Sequence, residues 1–244
     1  MFLPLKDINP TVRTPYVTIA LIAANALVYI YQMSLGPQFH AFVAAYGATP
    51  FEITRMTDLV GGFSVAGGTI AHYPGPSPIV ITLITSMFMH GSLLHLGGNM
   101  LYLWIFGNNI EDVLGPARFI IFYLICGFAA HALHIAMDSS SIIPTVGASG
   151  AISGVIGAYL IAFPRARVLS LIFLGFFIRM AVVPAFVIII FWFVIQLVSA
   201  MVSLGGMAGG GVAWFAHIGG FVVGVALIYA MAGDVIRWLR RGGH

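Results

Sequence analysis

The chain has 244 residues, of which 60% are hydrophobic and only 7% are charged. Soluble domains carry about 25% charged residues, so this composition belongs in a lipid bilayer and excludes a soluble globular domain. The net charge of +3 gives no reason to expect a nucleic-acid partner, and a single cysteine, Cys126, excludes an intrachain disulfide.

The first fifteen residues are mixed in charge, contain proline and lack a small-residue cleavage site, so the apolar run that follows reads as a membrane span rather than a cleaved signal. A span needs about 20 apolar residues, each rising 1.5 Å. Six runs qualify: Tyr16 to Leu35, Thr82 to Phe106, Ala117 to Met137, Thr145 to Phe163, Val182 to Ser203 and Val212 to Ala232. The expected fold is an all-α membrane protein, a six-helix bundle forming one domain over residues 1–244. The connection 36–81 is long, rich in glycine and aromatic residues, and expected to lie partly buried at the outer membrane surface. Val168 to Met180 is apolar but short, so it reads as an interfacial or re-entrant connection. The glycine-rich segment Leu204–Gly211 is expected to act as a mobile lid.

Charge sets the orientation. With the connections numbered alternately from an inside N-terminus, Lys6, Arg13, Arg118, Arg165, Arg167, Arg179, Arg237, Arg240 and Arg241 fall inside and only Arg55 falls outside. This positive-inside bias supports an even number of spans, both termini in the cytoplasm, and a multi-pass protein of the cell membrane.

Polar side chains inside hydrocarbon are functional candidates because they are costly there. They cluster as His90, His95 and Asn99 on the second span, Ser149 on the fourth and His217 on the sixth. Ser149 lies about 21 Å above the inner end of its span and His217 about 24 Å above the same face, so the two share a depth. Gly150 and Gly154 on the fourth span, and Gly220 and Gly224 on the sixth, are four apart, a spacing that lets helices pack closely in lipid. Such a pairing brings His217 within reach of Ser149, and a neutral imidazole can take the proton of a hydroxyl nucleophile. Of the acidic residues only Asp138 could approach from the outer loop, so the expectation is a Ser–His dyad without a carboxylate. His95 and Asn99 share one helix face and, with the Ser149 backbone N–H, could hold an oxyanion. His90, about 140° around the helix from His95, is expected to brace the neighbouring loop.

These residues also carry a resemblance. Gly147-Ala148-Ser149-Gly150, the run from His90 through His95 to Asn99, and Ala216-His217-Ile218-Gly219-Gly220 resemble the three signature segments of the rhomboid intramembrane serine proteases, in their bacterial form. Gly107 to Asp112, with Gly115, resembles the family's loop after its second span. The resemblance implies a six-helix core with a water-filled cavity open to the outer side, and cleavage of membrane-protein substrates in or beside a transmembrane segment. It makes Ser149 the nucleophile and His217 the base, with His95, Asn99 and the Ser149 N–H stabilising the oxyanion, and it implies no cofactor or metal. One position departs from the pattern. Some members carry an aromatic residue four after the serine, against the histidine; here it is Ser153, which leaves Trp214 or Phe215 as candidates to fix His217.

Taken singly, each residue has a plainer reading. Ser149 could be a small packing residue, His217 a helix-linking hydrogen bond, and His95 with Asn99 polar glue. Glu111 reads as a structural carboxylate bracing the inner loop, with Arg118 as its candidate partner. His131 and His134 have metal-like spacing but no thiols nearby. Two other functions compete: a catalytically inactive relative that binds or escorts transmembrane helices, and a small transporter, which the lack of mid-span charges and inverted repeats disfavours.

Overall fold

The computed structural model describes residues 2–65, 68–174, 177–204 and 212–240. The expected lid, Leu204–Gly211, lies outside them except for Leu204. In chain order the elements are β1 (Phe2–Asp7), α1 (Tyr16–Ser34), α2 (Phe39–Tyr46), α3 (Pro50–Arg55), β2 (Gly61–Val65), β3 (Gly68–His72), α4 (Thr82–Thr85), α5 (Leu93–Tyr102), α6 (Asn108–Leu114), α7 (Pro116–Met137), α8 (Ser149–Ala162), β4 (Arg167–Leu174), β5 (Phe177–Pro184), α9 (Ala185–Leu204) and α10 (Trp214–Arg240). The protein is mostly helical and carries several membrane-spanning helices. Among the described residues four helices, α1, α7, α9 and α10, are individually long and apolar enough to cross a bilayer.

The two remaining expected spans take other forms. Thr82 to Phe106 is not one straight helix. A segment Ile79–Phe88 and a second, Leu93–Leu114, meet at a 79° bend. Met89 and Ser92 are extended, and the Ser92 hydroxyl accepts the backbone N–H of His95 (3.1 Å), capping a new helix there. The second segment runs through a π-helical stretch, Leu103–Gly107, into α6. The run from Thr145 to Phe163 becomes helical only at Ser149, because Thr145 pairs with Ala48 of the long connection and Gly147 turns with φ +129°. The resulting α8 has 14 residues, shorter than a bilayer needs. It tolerates this because eleven of its residues are buried by neighbouring protein rather than lipid.

The expectation of an all-α fold is corrected by two small sheets. Residues read as an interfacial or re-entrant connection, together with Val182–Pro184 from the expected fifth span, fall in the β4–β5 hairpin, and β1 pairs antiparallel with β4, giving the order β1-β4-β5. Burial alternates at the start of β4: Arg167 is exposed, Val168 and Ser170 are buried and Leu169 between them is half-buried, so one sheet face closes the bundle end. A second hairpin, β2–β3, lies in the long connection.

At the sheet end, acidic side chains anchor the start of α1. Glu111 accepts hydrogen bonds from the Val17 N–H (2.9 Å), the Thr18 N–H (2.7 Å) and the Thr18 hydroxyl (2.8 Å). Asp112 accepts from the backbone N–H groups of Val12 and Arg13. Glu111 thus serves as a remote cap for a helix N-terminus, where free N–H groups and the helix dipole both favour an anion. Its expected partner Arg118 instead donates to the Met231 carbonyl oxygen.

Candidate active site

Glycine decides how closely α8 and α10 approach. A methyl group on Gly220 would overlap the Gly150 carbonyl oxygen, and one on Gly224 would overlap that of Gly154. On α8 itself, a Cβ at Gly157 would stand 2.6 Å from the Phe221 carbonyl oxygen, and one at Gly150 would stand 2.6 Å from the Ala130 methyl. Backbone therefore lies against backbone along the seam, the arrangement that small residues permit where lipid offers no hydrophobic drive.

At the outer end of this seam, Ser149 Oγ lies 2.7 Å from His217 Nε2. Ser149 is the first residue of α8, so its N–H is one of the helix's unsatisfied donors. His217 stands in the first turn of α10. The ring is flanked by Trp192 of α9, at a centroid distance of 6.0 Å, and by Trp214, at 6.3 Å and edge-on.

From α5, His95 reaches the turn that leads into Ser149. A Cβ on Gly147 would stand 2.8 Å from His95 Cε1 and Nε2, so the glycine is required both by its positive φ and by the imidazole packed against it. Asn99 approaches the same turn, and its Nδ2 donates to His90 Nε2 (2.9 Å). His90 is itself held to α1: Gln32 accepts from the His90 N–H (3.1 Å) and donates to its carbonyl oxygen (3.3 Å). His90 therefore braces Asn99 as well as its own loop. Ser149, His217, His95, Asn99, Ser153 and Trp192 border one cavity between α5, α8 and α9.

Other candidates fall elsewhere. The exposed Asp138 accepts from the Ser140 N–H and hydroxyl. His131 Nε2 lies 3.2 Å from the Ser86 hydroxyl, and no set of three or more potential metal ligands gathers among the described residues. Ser153 donates to the Ser149 carbonyl oxygen (2.6 Å).

Two neighbours of His217 were not anticipated from the sequence. Gln196 of α9 accepts at Oε1 from His217 Nδ1 (2.7 Å), and Trp192 lies one turn before it on the same helix. Gln196 is the one carboxamide in a span otherwise apolar but for Ser199 and Ser203, and that polarity in hydrocarbon was the signal available. With Gln196 and Ser149 on its two nitrogens, His217 has no ring position left for a carboxylate. An imidazole on a serine hydroxyl, beside a cavity bordered by groups able to donate hydrogen bonds, is an arrangement that can support acyl transfer.

Comparisons with known proteins identify the family. The family model of the rhomboid domain matches residues 78–233, which include α5, α8, α9 and most of α10. Rhomboid protein 1, mitochondrial, of Saccharomyces cerevisiae is 37% identical over 97 residues, covering 38% of this chain and 28% of that protein. Presenilin-associated rhomboid-like protein, mitochondrial, of Mus musculus is 34% identical over 108 residues, or 43% of this chain and 28% of the relative. RHOMBOID-like protein 4 of Arabidopsis thaliana is 29% identical over 225 residues, or 89% of this chain and 52% of the relative. The chain thus spans between about a quarter and a half of these relatives' lengths. On the match of the domain over most of its length, the chain belongs to the rhomboid family.

Proposed function

We propose that the protein is an intramembrane serine endopeptidase that cleaves membrane-protein substrates in or beside a transmembrane segment. The observation that carries this reading is the 2.7 Å contact between Ser149 Oγ and His217 Nε2 at the edge of a cavity. Ser149 Oγ attacks the substrate carbonyl carbon while His217 Nε2 takes the hydroxyl proton. The developing oxyanion is held by His95, Asn99 and the Ser149 N–H, donors already in place before the charge appears. As the C–N bond breaks, His217 returns the proton to the leaving amine. Water then hydrolyses the serine ester by the same base.

The six-span count belongs to this reading, with the bent pair around α5 as the second span and the short α8 as the fourth. So does the orientation. Lys6, Arg167 and Arg179 lie on the three-stranded sheet, at the end opposite the serine, which fits a cytoplasmic sheet end and a site opening outward. The compartment is a cell membrane in this proposal. The mitochondrial names of two relatives make a mitochondrial membrane the alternative.

A transmembrane substrate shields its peptide bonds in helical hydrogen bonds, so it must unwind before attack. Substrates with small or helix-weakening residues near the outer interface are preferred.

The test is labelling with a fluorophosphonate, together with cleavage of a transmembrane substrate in liposomes. Wild type should label, and Ser149→Ala and His217→Ala should each lose roughly 10⁴-fold or more in kcat while remaining folded. Unlabelled wild type that cleaves nothing, but still captures transmembrane helices, identifies an escort protein instead.

A further inference from the structure

Helix α9 mostly faces lipid. Ile195, Leu197 and Val198 are exposed, whereas Gln196 between them is only 4% exposed. A buried amide in an apolar bundle is costly unless both its ends are bonded, and here both are. Nε2 donates to the Trp192 carbonyl oxygen one turn back (3.4 Å), and Oε1 stands 2.7 Å from His217 Nδ1. The first contact fixes the sense of the second. A backbone carbonyl can only accept, so the amide nitrogen faces Trp192 and the oxygen faces the ring. An oxygen at that distance requires a proton on Nδ1. A neutral imidazole carries one proton, so Nε2 keeps a lone pair, and Nε2 is the atom 2.7 Å from Ser149 Oγ.

We infer that Gln196 is a positioning residue whose side-chain oxygen locks His217 in the Nδ1–H tautomer and leaves Nε2 free to accept the Ser149 proton. Its catalytic consequence rests on the protease reading above; the tautomer itself does not. When the proton arrives, the imidazolium keeps its Nδ1–H bond to Gln196. A carboxamide performs the orienting task of a triad's third member without placing a second charge in the bilayer. No Asp or Glu among the described residues bonds to His217. Gln196 also ties the ring to α9, the helix that contributes Trp192 to the cavity wall.

Nitrogen-15 histidine spectra of the protein in nanodiscs read the tautomer directly, with the His217 signals assigned by their loss in His217→Ala. Wild type should show the Nδ1–H form. Gln196→Met keeps the length but removes the acceptor, and should give a mixture of tautomers. In parallel, Gln196→Met should slow Ser149 acylation and kcat by roughly 10- to 100-fold with KM nearly unchanged. Gln196→Glu restores an oxygen acceptor and should recover most of that loss. The inference is overturned if Gln196→Met keeps the Nδ1–H form at wild-type rates. It is equally overturned if both variants lose activity in step with a lowered unfolding temperature, which marks a packing role. Wild type that shows the Nδ1–H form but neither labels nor cleaves defeats the protease reading alone.

Discussion

The two ends of α8 carry the same kind of chemistry to opposite effect. At the inner end, the Tyr159 hydroxyl donates to Asp7 Oδ2 (3.1 Å), the Asn109 amide donates to the same oxygen (2.6 Å), and Glu111 nearby caps α1. These polar groups are engaged with one another. At the outer end, Ser149 and His217 are also paired, but one side of the pair opens on a cavity bordered by His95 and Asn99. Buried polar residues in so apolar a chain do not by themselves mark function. A closed network holds a fold together, whereas one with room for a further molecule can do chemistry. Between the ends runs the glycine seam with α10, which fixes Ser149 against His217.

The largest effect should come from breaking that seam. In Gly224→Val the added side chain meets the Gly154 backbone, so α10 must move away. A stability loss of about 3 kcal/mol or more, with no Ser149 labelling, is expected in detergent unfolding and probe assays. Wild-type labelling in this variant would mean that the Ser–His contact does not depend on the seam.

The next separates rate from stability at the outer end. Asn99→Ala removes the proposed oxyanion donor and should lower kcat by about 10²- to 10³-fold, as the loss of such donors does elsewhere. It also strips His90 Nε2 of its partner, at about 1 kcal/mol of stability. Stability loss without rate loss would move Asn99 to the closed, structural class.

At the inner end the order reverses. Glu111→Ala leaves three donors of α1 unbonded and should cost about 2–3 kcal/mol in unfolding measurements, while the folded fraction still acylates within a few-fold of wild type.

The smallest effect concerns Asp7. Burial pushes its carboxyl above the usual carboxylate value and outweighs the donors Tyr159 and Asn109, which pull it down. A raised folded-state value means that its contribution is full below the unfolded value and is lost as pH rises through the folded one. Stability should therefore fall as pH rises through that window. Asp7→Asn retains an acceptor without the charge, so it should flatten the curve and gain about 1 kcal/mol or less at neutral pH.

Some of this was legible in the sequence and some was not. Hydropathy fixed the membrane class and located α1, α7, α9 and α10, because a bilayer demands length and apolarity of any lone span. It overestimated α8, since a helix enclosed by protein need not match the bilayer. It also read Val168 to Met180 as an interfacial or re-entrant connection and Val182 to Pro184 as the start of a span, because strand pairing depends on the distant β1. The serine, the two histidines and the asparagine could be named from spacing and resemblance, since helical periodicity places them on inward faces.

What orients His217 could not be read that way. Trp192 and Gln196 lie more than twenty residues before it on another helix, and only packing turns that face of α9 toward the ring. The sequence by itself determined which groups had to leave the lipid, because solvation is paid residue by residue. The tertiary structure decided that Gln196 and Trp192 meet His217 and which side of the Ser149–His217 pair stays open, because contact across helices depends on the clearance that the Gly220 and Gly224 seam allows.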